Sequence, residues 1–386
     1  LRITLLSAGI IMIMAQCVVI ENEFQALPPG LWRAELDLTS PGVGLKSNPS
    51  DQFQMDNKLP FLFEVKYVNA DSFFIEIING EERIQVSDLT FGHNRANGRD
   101  SVKFHFPEYD SYVLAYFEED ILEGRWYVPA RGNYSIPFLA RHGKDQRFDF
   151  VEKNSQKWNA AGRWKVNFGI EDPSTQYPAI GEFKQNNEVV TGTFLTETGD
   201  YRFLEGKIIG DHLWLSCFDG SHAFLFKAKF TEENQLTGFF KSGNHYQTLW
   251  SAQRSEDVIL RDPDSLTFSN AEVLTLQFSD HNGNVLDLDS ETWANRPKIV
   301  QVLGTWCPNC KDETKFLVDY LSSTEHDVAV MGLAFEKAKS KEKAIQGIEN
   351  YRRKLNIPYP IYYVGEAKKE VASEFFFRNH PENDKP

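Results

Sequence analysis

Between Gly30 and Arg254 apolar and polar residues alternate in short runs separated by Gly, Asn and Asp, and no helical period persists. Phe73-Phe74-Ile75-Glu76-Ile77-Ile78 and Ser101-Val102-Lys103-Phe104-His105-Phe106 are representative, and period-two runs of this kind predict strands. Asn79-Gly80 follows the first of them. That pair predicts a hairpin, because Asn and Gly accept the positive φ of a type I′ turn. Many short strands at near-regular spacing predict antiparallel barrels or sandwiches.

The region repeats itself. Gly30-Leu31-Trp32-Arg33-Ala34-Glu35-Leu36 is similar to Gly162-Arg163-Trp164-Lys165-Val166-Asn167-Phe168, and Ser101 to Trp126 runs parallel to His212 to Phe239. Both halves show strand, acidic turn, strand, a second acidic turn and then Leu-x-Gly-x-aromatic. A spacing of about 130 residues predicts two β modules of similar topology, residues 25–152 and 158–256, meeting near Lys153–Ala161.

After Arg254 the pattern changes. Asp262-Pro263-Asp264-Ser265 reads as a linker, and Leu276 to Ser279 leads into a hairpin turn at Asp280-His281-Asn282-Gly283-Asn284. From Lys298 strand and helix patterns alternate, which predicts a sheet covered by helices in a third domain, residues 262–386. Ile299–Leu303 reads as a buried strand and Asp312–Ser323 as a helix with Phe316, Leu317 and Tyr320 on its apolar face. Val328–Phe335, Lys341–Leu355 and Tyr359–Val364 read as strand, helix and strand.

A chain of 386 residues exceeds one hydrophobic core, in agreement with several domains. The formal net charge of −14 excludes a nucleic-acid surface, which relies on Lys and Arg. The first 20 residues read as an export segment: Arg2 precedes an apolar run, Ile3 to Ala15, followed by Gln16-Cys17 and the polar Glu21-Asn22-Glu23. Three readings stay open, namely a lipoprotein signal with Cys17 lipidated, a cleaved secretory signal, and an uncleaved anchor continuing through Val18–Ile20. All three place the body of the protein in the periplasm or cell envelope, with membrane contact through the N-terminus alone.

Four cysteines, Cys17, Cys217, Cys307 and Cys310, are too few for a disulfide scaffold. Cys217 alternates with apolar neighbours and reads as a buried strand thiol, and Asp219-Gly220-Ser221-His222 beside it reads as a turn. In Trp306-Cys307-Pro308-Asn309-Cys310 a strand, a Cys-x-x-Cys pair and a helix follow in order. A cysteine at a helix start faces unpaired N–H groups and the positive end of the helix dipole, which favour thiolate. Cys307 would then attack a disulfide and Cys310 resolve it. A zinc site lacks further ligands, since His326 and His380 stand alone, and haem attachment would need His where Lys311 stands. A purely structural disulfide is the remaining alternative.

At these residues the chain resembles the thioredoxin superfamily, specifically the TlpA/ResA-like thiol–disulfide oxidoreductases of bacterial envelopes. The resemblance covers roughly Asp262 to Phe377 and rests on the Ile299–Leu303 strand, the motif with its flanking Trp306, Pro308 and Asn309, and Glu313. It implies an α/β thioredoxin-like domain and a disulfide reductase that needs no cofactor beyond the Cys307–Cys310 disulfide and no metal. It also implies envelope proteins bearing disulfides or dithiols as partners and a membrane electron donor. Glu313 matches an acid that could relay a proton if burial raised its pKa; otherwise it is a solvated glutamate. Gln301 stands where many thioredoxins carry a buried acid. The family's closing hairpin and helix have no counterpart in Arg378 to Pro386, where Pro381 lacks a strand-like context, so this domain reads as incomplete.

Two other functions compete. A peroxiredoxin-like peroxide reductase is disfavoured because Gly304 stands where that site needs Thr. The other is a ligand- or protein-binding envelope protein in which the β modules carry the main role. Exposed aromatics would support it, but Trp32, Trp126, Trp164 and Trp214 read as core.

Overall fold

The computed structural model describes residues 27–39, 57–69, 72–94, 98–106, 109–149, 158–262, 265, 277–279, 285–287, 293, 296–323, 327–338, 340–368 and 370–372. The N-terminal segment with Cys17, the centre of the module boundary, most of the linker, the turn at Asp280–Asn284, His326, His380 and the segment with Pro381 lie outside them. No helix among the described residues is long and apolar enough to cross a membrane.

Alternation along the first half becomes strand pleat. The first module contains β1 (Gly30–Asp37), β2 (Lys58–Asn69), β3 (Ser72–Asn79), β4 (Glu82–Val86), β5 (Leu89–Asn94), β6 (Arg99–Phe106), β7 (Ser111–Glu118), β8 (Ile121–Tyr127) and β9 (Ser135–His142). They form one antiparallel sheet in the order β4-β3-β2-β1-β9-β8-β7-β6-β5, curled into a half-barrel open between β4 and β5. The second contains β10 (Gly162–Phe168), β11 (Tyr177–Asn186), β12 (Val189–Thr196), β13 (Gly199–Asp200), β14 (Leu204–Ile209), β15 (His212–Phe218), β16 (Ala223–Glu232), β17 (Gln235–Ser242) and β18 (Tyr246–Arg254). Here β12 pairs with both β11 and β14, which closes a barrel of eight strands with the short β13 attached.

The sequence repeat has a structural counterpart. β1 and β10 each start at a glycine with positive φ, +104° at Gly30 and +105° at Gly162. Each carries a buried Trp two residues on, whose indole N–H donates to the carbonyl four residues earlier: Trp32 to Pro28 at 3.1 Å and Trp164 to Ala160 at 2.8 Å. Each lies between the second and last strands of its module. The shared Leu-x-Gly also has a cause. A Cβ on Gly124 would stand 2.0 Å from the Leu114 carbonyl oxygen, and one on Gly238 the same distance from that of Lys227. Strand pairing at both places requires a missing side chain. Gly124→Ala and Gly238→Ala are each expected to destabilise the protein by about 1–3 kcal/mol, the usual cost of overpacking, read from urea midpoints.

The half-barrel is filled partly by its neighbour. On β15 and β16, Leu213, Leu215, Cys217, Phe224 and Phe226 enter the barrel core, whereas Phe218, Ala223 and Leu225 join the core of the first module. Phe218 lies 4.5 Å from Phe61, 5.2 Å from Trp126 and 5.8 Å from Phe106, ring centre to ring centre. Burial on both faces explains why these two strands are apolar almost throughout. Trp32 and Trp126 sit in the first core and Trp164 in the second, while Trp214 is buried beside Phe148 and Lys227.

The β3–β4 hairpin turns at Gly80-Glu81, one residue later than Asn79-Gly80 predicts, with φ +54° at Gly80. Asn79 stays in the strand because its buried amide docks the modules: it donates to the Phe218 carbonyl at 2.9 Å and accepts from the Phe218 N–H at 3.3 Å.

Beyond the barrel, β19 (Gln277–Ser279) and β20 (Val285–Asp287) pair antiparallel. A small α/β unit follows: β21 (Lys298–Leu303), α1 (Pro308–Ser323), β22 (Ala329–Glu336), α2 (Lys341–Lys354) and β23 (Ile361–Glu366). Its parallel sheet has the order β21-β22-β23. Three expectations are corrected. α1 starts at Pro308, not Asp312, and buries Thr314 and Leu317, whereas Phe316 is 68% exposed and stacks on exposed Tyr320. β21 is an edge strand with Val302 half exposed, not a buried one. Of the described residues 57% are strand and 14% helix, predominantly β, and the incomplete thioredoxin-like domain expected at 262–386 is not supported.

Candidate functional site at the junction of the modules

Cys307 and Cys310 are joined in a disulfide at the start of α1, with Cα atoms 5.3 Å apart, and both are half-buried. Pro308 is buried, and Trp306 and Asn309 are half-buried. Beneath the pair the buried Gln301 amide donates to Thr314 Oγ1 at 3.1 Å, and Tyr359 donates to Gln301 Oε1 at the same distance. Glu313 is exposed and accepts from Gln301 Nε2 at 2.9 Å, so it lacks the burial that a proton relay requires.

The turn is held against both β modules. Arg202, 6% exposed, reaches Glu82 of β4 at 2.6 Å, Asp219 of the β15–β16 turn at 3.5 Å, Asp312 of α1, and Asn309 Oδ1 at 3.2 Å. Ser221 donates to the Trp306 carbonyl at 3.1 Å. Arg202 is left-handed at φ +64°, which costs a non-glycine residue about 1–2 kcal/mol, so its contacts offset a strained backbone. Burial raises the Glu82 carboxyl despite the nearby Arg202. Burial would also raise Asp219, but the His222 ring, the Arg202 charge and the His222 N–H hold it below its ordinary value. Asp219-Gly220-Ser221-His222 is a turn, and Cys217 points into the barrel, where burial pushes its thiol well up.

Beside Trp306 lies a pocket of about 310 Å³. The β6–β7 and β8–β9 connections supply Tyr109, Asp110 and Pro129; the α/β unit supplies Thr305, Trp306, Glu336 and Lys337; α2 adds Lys343, Gly347 and Asn350. Glu336, 5% exposed, accepts from the Thr305 N–H at 2.9 Å and Thr305 Oγ1 at 2.7 Å. Burial pushes its pKa up to about 7, against those two hydrogen bonds. The Lys337 ammonium lies 3.3 Å from the Trp306 ring centre. The pocket walls and the Arg131 charge bring its pKa down to about 8.

Sequence reasoning missed Arg202 and Glu336. Glu336 left one signal, an acid closing a wholly apolar strand, Ala329 to Phe335. Arg202 left none, because its partners at 82, 219 and 312 meet only in the folded chain. The barrel interior is filled: Phe168, Phe194, Phe226, Phe240 and Trp250 pack its centre. Among the described residues no group of three or more His, Cys, Asp or Glu is arranged to hold a metal.

No protein-family profile and no curated protein matches the chain. Similar solved structures include a protein of unknown function of the DUF3598 family from Nostoc punctiforme PCC 73102, at 11% identity and TM-score 0.20, covering 59% of this chain and 96% of that one. Another is the Burkholderia oklahomensis agglutinin, at 8% identity and TM-score 0.13, covering 58% and 84%. Likenesses this slight carry no functional argument. The TlpA/ResA-like identification and the thiol–disulfide oxidoreductase it implied are therefore corrected: no family match supports them, and the chain as a whole is a β protein. At the junction Ser221, Arg202 and Gly199 stand against the residues that flank the pair, so the turn is docked on the β modules. A strand, Cys-x-x-Cys and helix in order describe a local geometry and do not by themselves make a reductase.

Proposed function

We propose that this is a binding protein in which the paired β modules carry the main role and the junction pocket seats a small ligand. The observation that supports this is the pocket itself. It is walled by loops of the first module and by the α/β unit together, near the lower size limit for small-molecule sites, while both β cores are filled. On this reading Cys307 and Cys310 staple the turn that supports Trp306. An envelope setting, as the N-terminal segment suggests, would keep that staple oxidised.

The test is thermal unfolding of the full chain against small acids, sugars and amines, repeated with Gly347→Leu. A Cβ at Gly347 meets nothing closer than Thr305 Oγ1 at 3.9 Å, so leucine there fills the pocket without strain. Replacing Gly in a helix should itself stabilise by up to about 1 kcal/mol. Stabilisation by some ligand class, abolished in Gly347→Leu, is the expected result; no stabilisation by any class sinks the reading. Cys307→Ser with Cys310→Ser is expected to cost about 2 kcal/mol, the loop-entropy value for so short a ring, in urea unfolding.

A further inference from the structure

We propose that the ligand of the junction pocket is a small organic acid whose carboxylate lies against Lys337 and Lys343. This rests on the binding reading above and names the chemistry of its ligand.

In a chain of net charge −14, most surface cations would be expected to meet acids. Arg131, Lys337 and Lys343 make no salt bridge with a carboxylate among the described residues, although Lys337 feels the Glu336 charge, and Arg131 lies close enough to depress Lys337. The acids facing them are Asp110, exposed at the rim, and Glu336, buried in the wall. Below about pH 7 Glu336 is largely protonated and offers a hydrogen-bond donor beside an ammonium, a pair suited to a carboxylate. The histidine and the two tyrosines that feel these charges add none of their own at neutral pH. Burial, Arg131 and Lys337 bring His245 down to about 4, and Tyr351 and Tyr363, which feel the Glu336 charge, have raised phenols. Lys311 lies over the Tyr109 ring at 5.2 Å and adds to the positive side. No arginine, the usual bidentate partner of phosphate, is among the residues that line the pocket.

Calorimetric titration of the full chain at pH 6 would use succinate, citrate and benzoate as acids, with inorganic phosphate, glucose and putrescine as the other arms. At least one acid should bind, with affinity falling about tenfold or more in Lys337→Gln and lost in Gly347→Leu. Raising the pH from 6 to 8.5 should weaken it, because Glu336 gains negative charge through about 7 and Lys337 loses positive charge through about 8. Glu336→Gln should remove the part of that dependence centred near 7. Preference for phosphate, glucose or putrescine, abolished by Gly347→Leu, would overturn the acid and leave the pocket standing. Binding by no probe, or binding indifferent to Gly347→Leu, would overturn both.

Discussion

Arg202→Met is expected to lower the unfolding free energy by about 3–5 kcal/mol, the range for removing one member of a buried ion cluster. The cost arises less from lost attraction than from what is left behind. Asp219 is 1% exposed and Glu82 is largely buried, and without the guanidinium two carboxylates face each other away from water. Adding Glu82→Gln to Arg202→Met should recover part of the loss, since one stranded charge is then neutral. Urea unfolding of the two variants measures both steps. A loss below about 1 kcal/mol for Arg202→Met would mean that water reaches the cluster and the junction is looser than described.

Phe218→Ala should cost a similar amount, about 3–5 kcal/mol, because a fully buried phenyl leaves a cavity as well as losing its transfer energy. It should also change how the protein melts. Phe218 belongs to a barrel strand but fills the half-barrel against Phe61, Phe106 and Trp126. The intact protein is expected to unfold its two β modules in one calorimetric transition. Phe218→Ala should separate them, with the open first module melting earlier because it depends on this plug and the closed barrel does not. One unbroken transition at a barely changed temperature would show that the Asn79–Phe218 and Arg147–Ser216 hydrogen bonds couple the modules without the ring.

The Cys-x-x-Cys pair shows how a local pattern can be read rightly and its function wrongly. Strand, turn and helix around Cys307 follow from a few neighbouring residues. What the turn packs against is set by Ser221 and Arg202, more than eighty residues away in the chain. Glu313 was singled out because it sits near the cysteines in sequence, yet it faces solvent. Glu336, at the end of the next strand, is the acid buried beside the turn, because parallel pairing brings β22 alongside β21.

By itself the sequence determined the two related β modules, their opening Gly-x-Trp strands, and the order of strand, cysteine pair and helix. These rest on period-two alternation, turn chemistry and steric size, all properties of residues close together in the chain. Tertiary structure alone decided that one module closes and the other stays open to receive Phe218, that Arg202 gathers acids from three separate elements, and that a pocket lined by two lysines forms at the junction. Those depend on which surfaces meet. Burial and charge pairing between segments far apart in the chain arise only when it is folded.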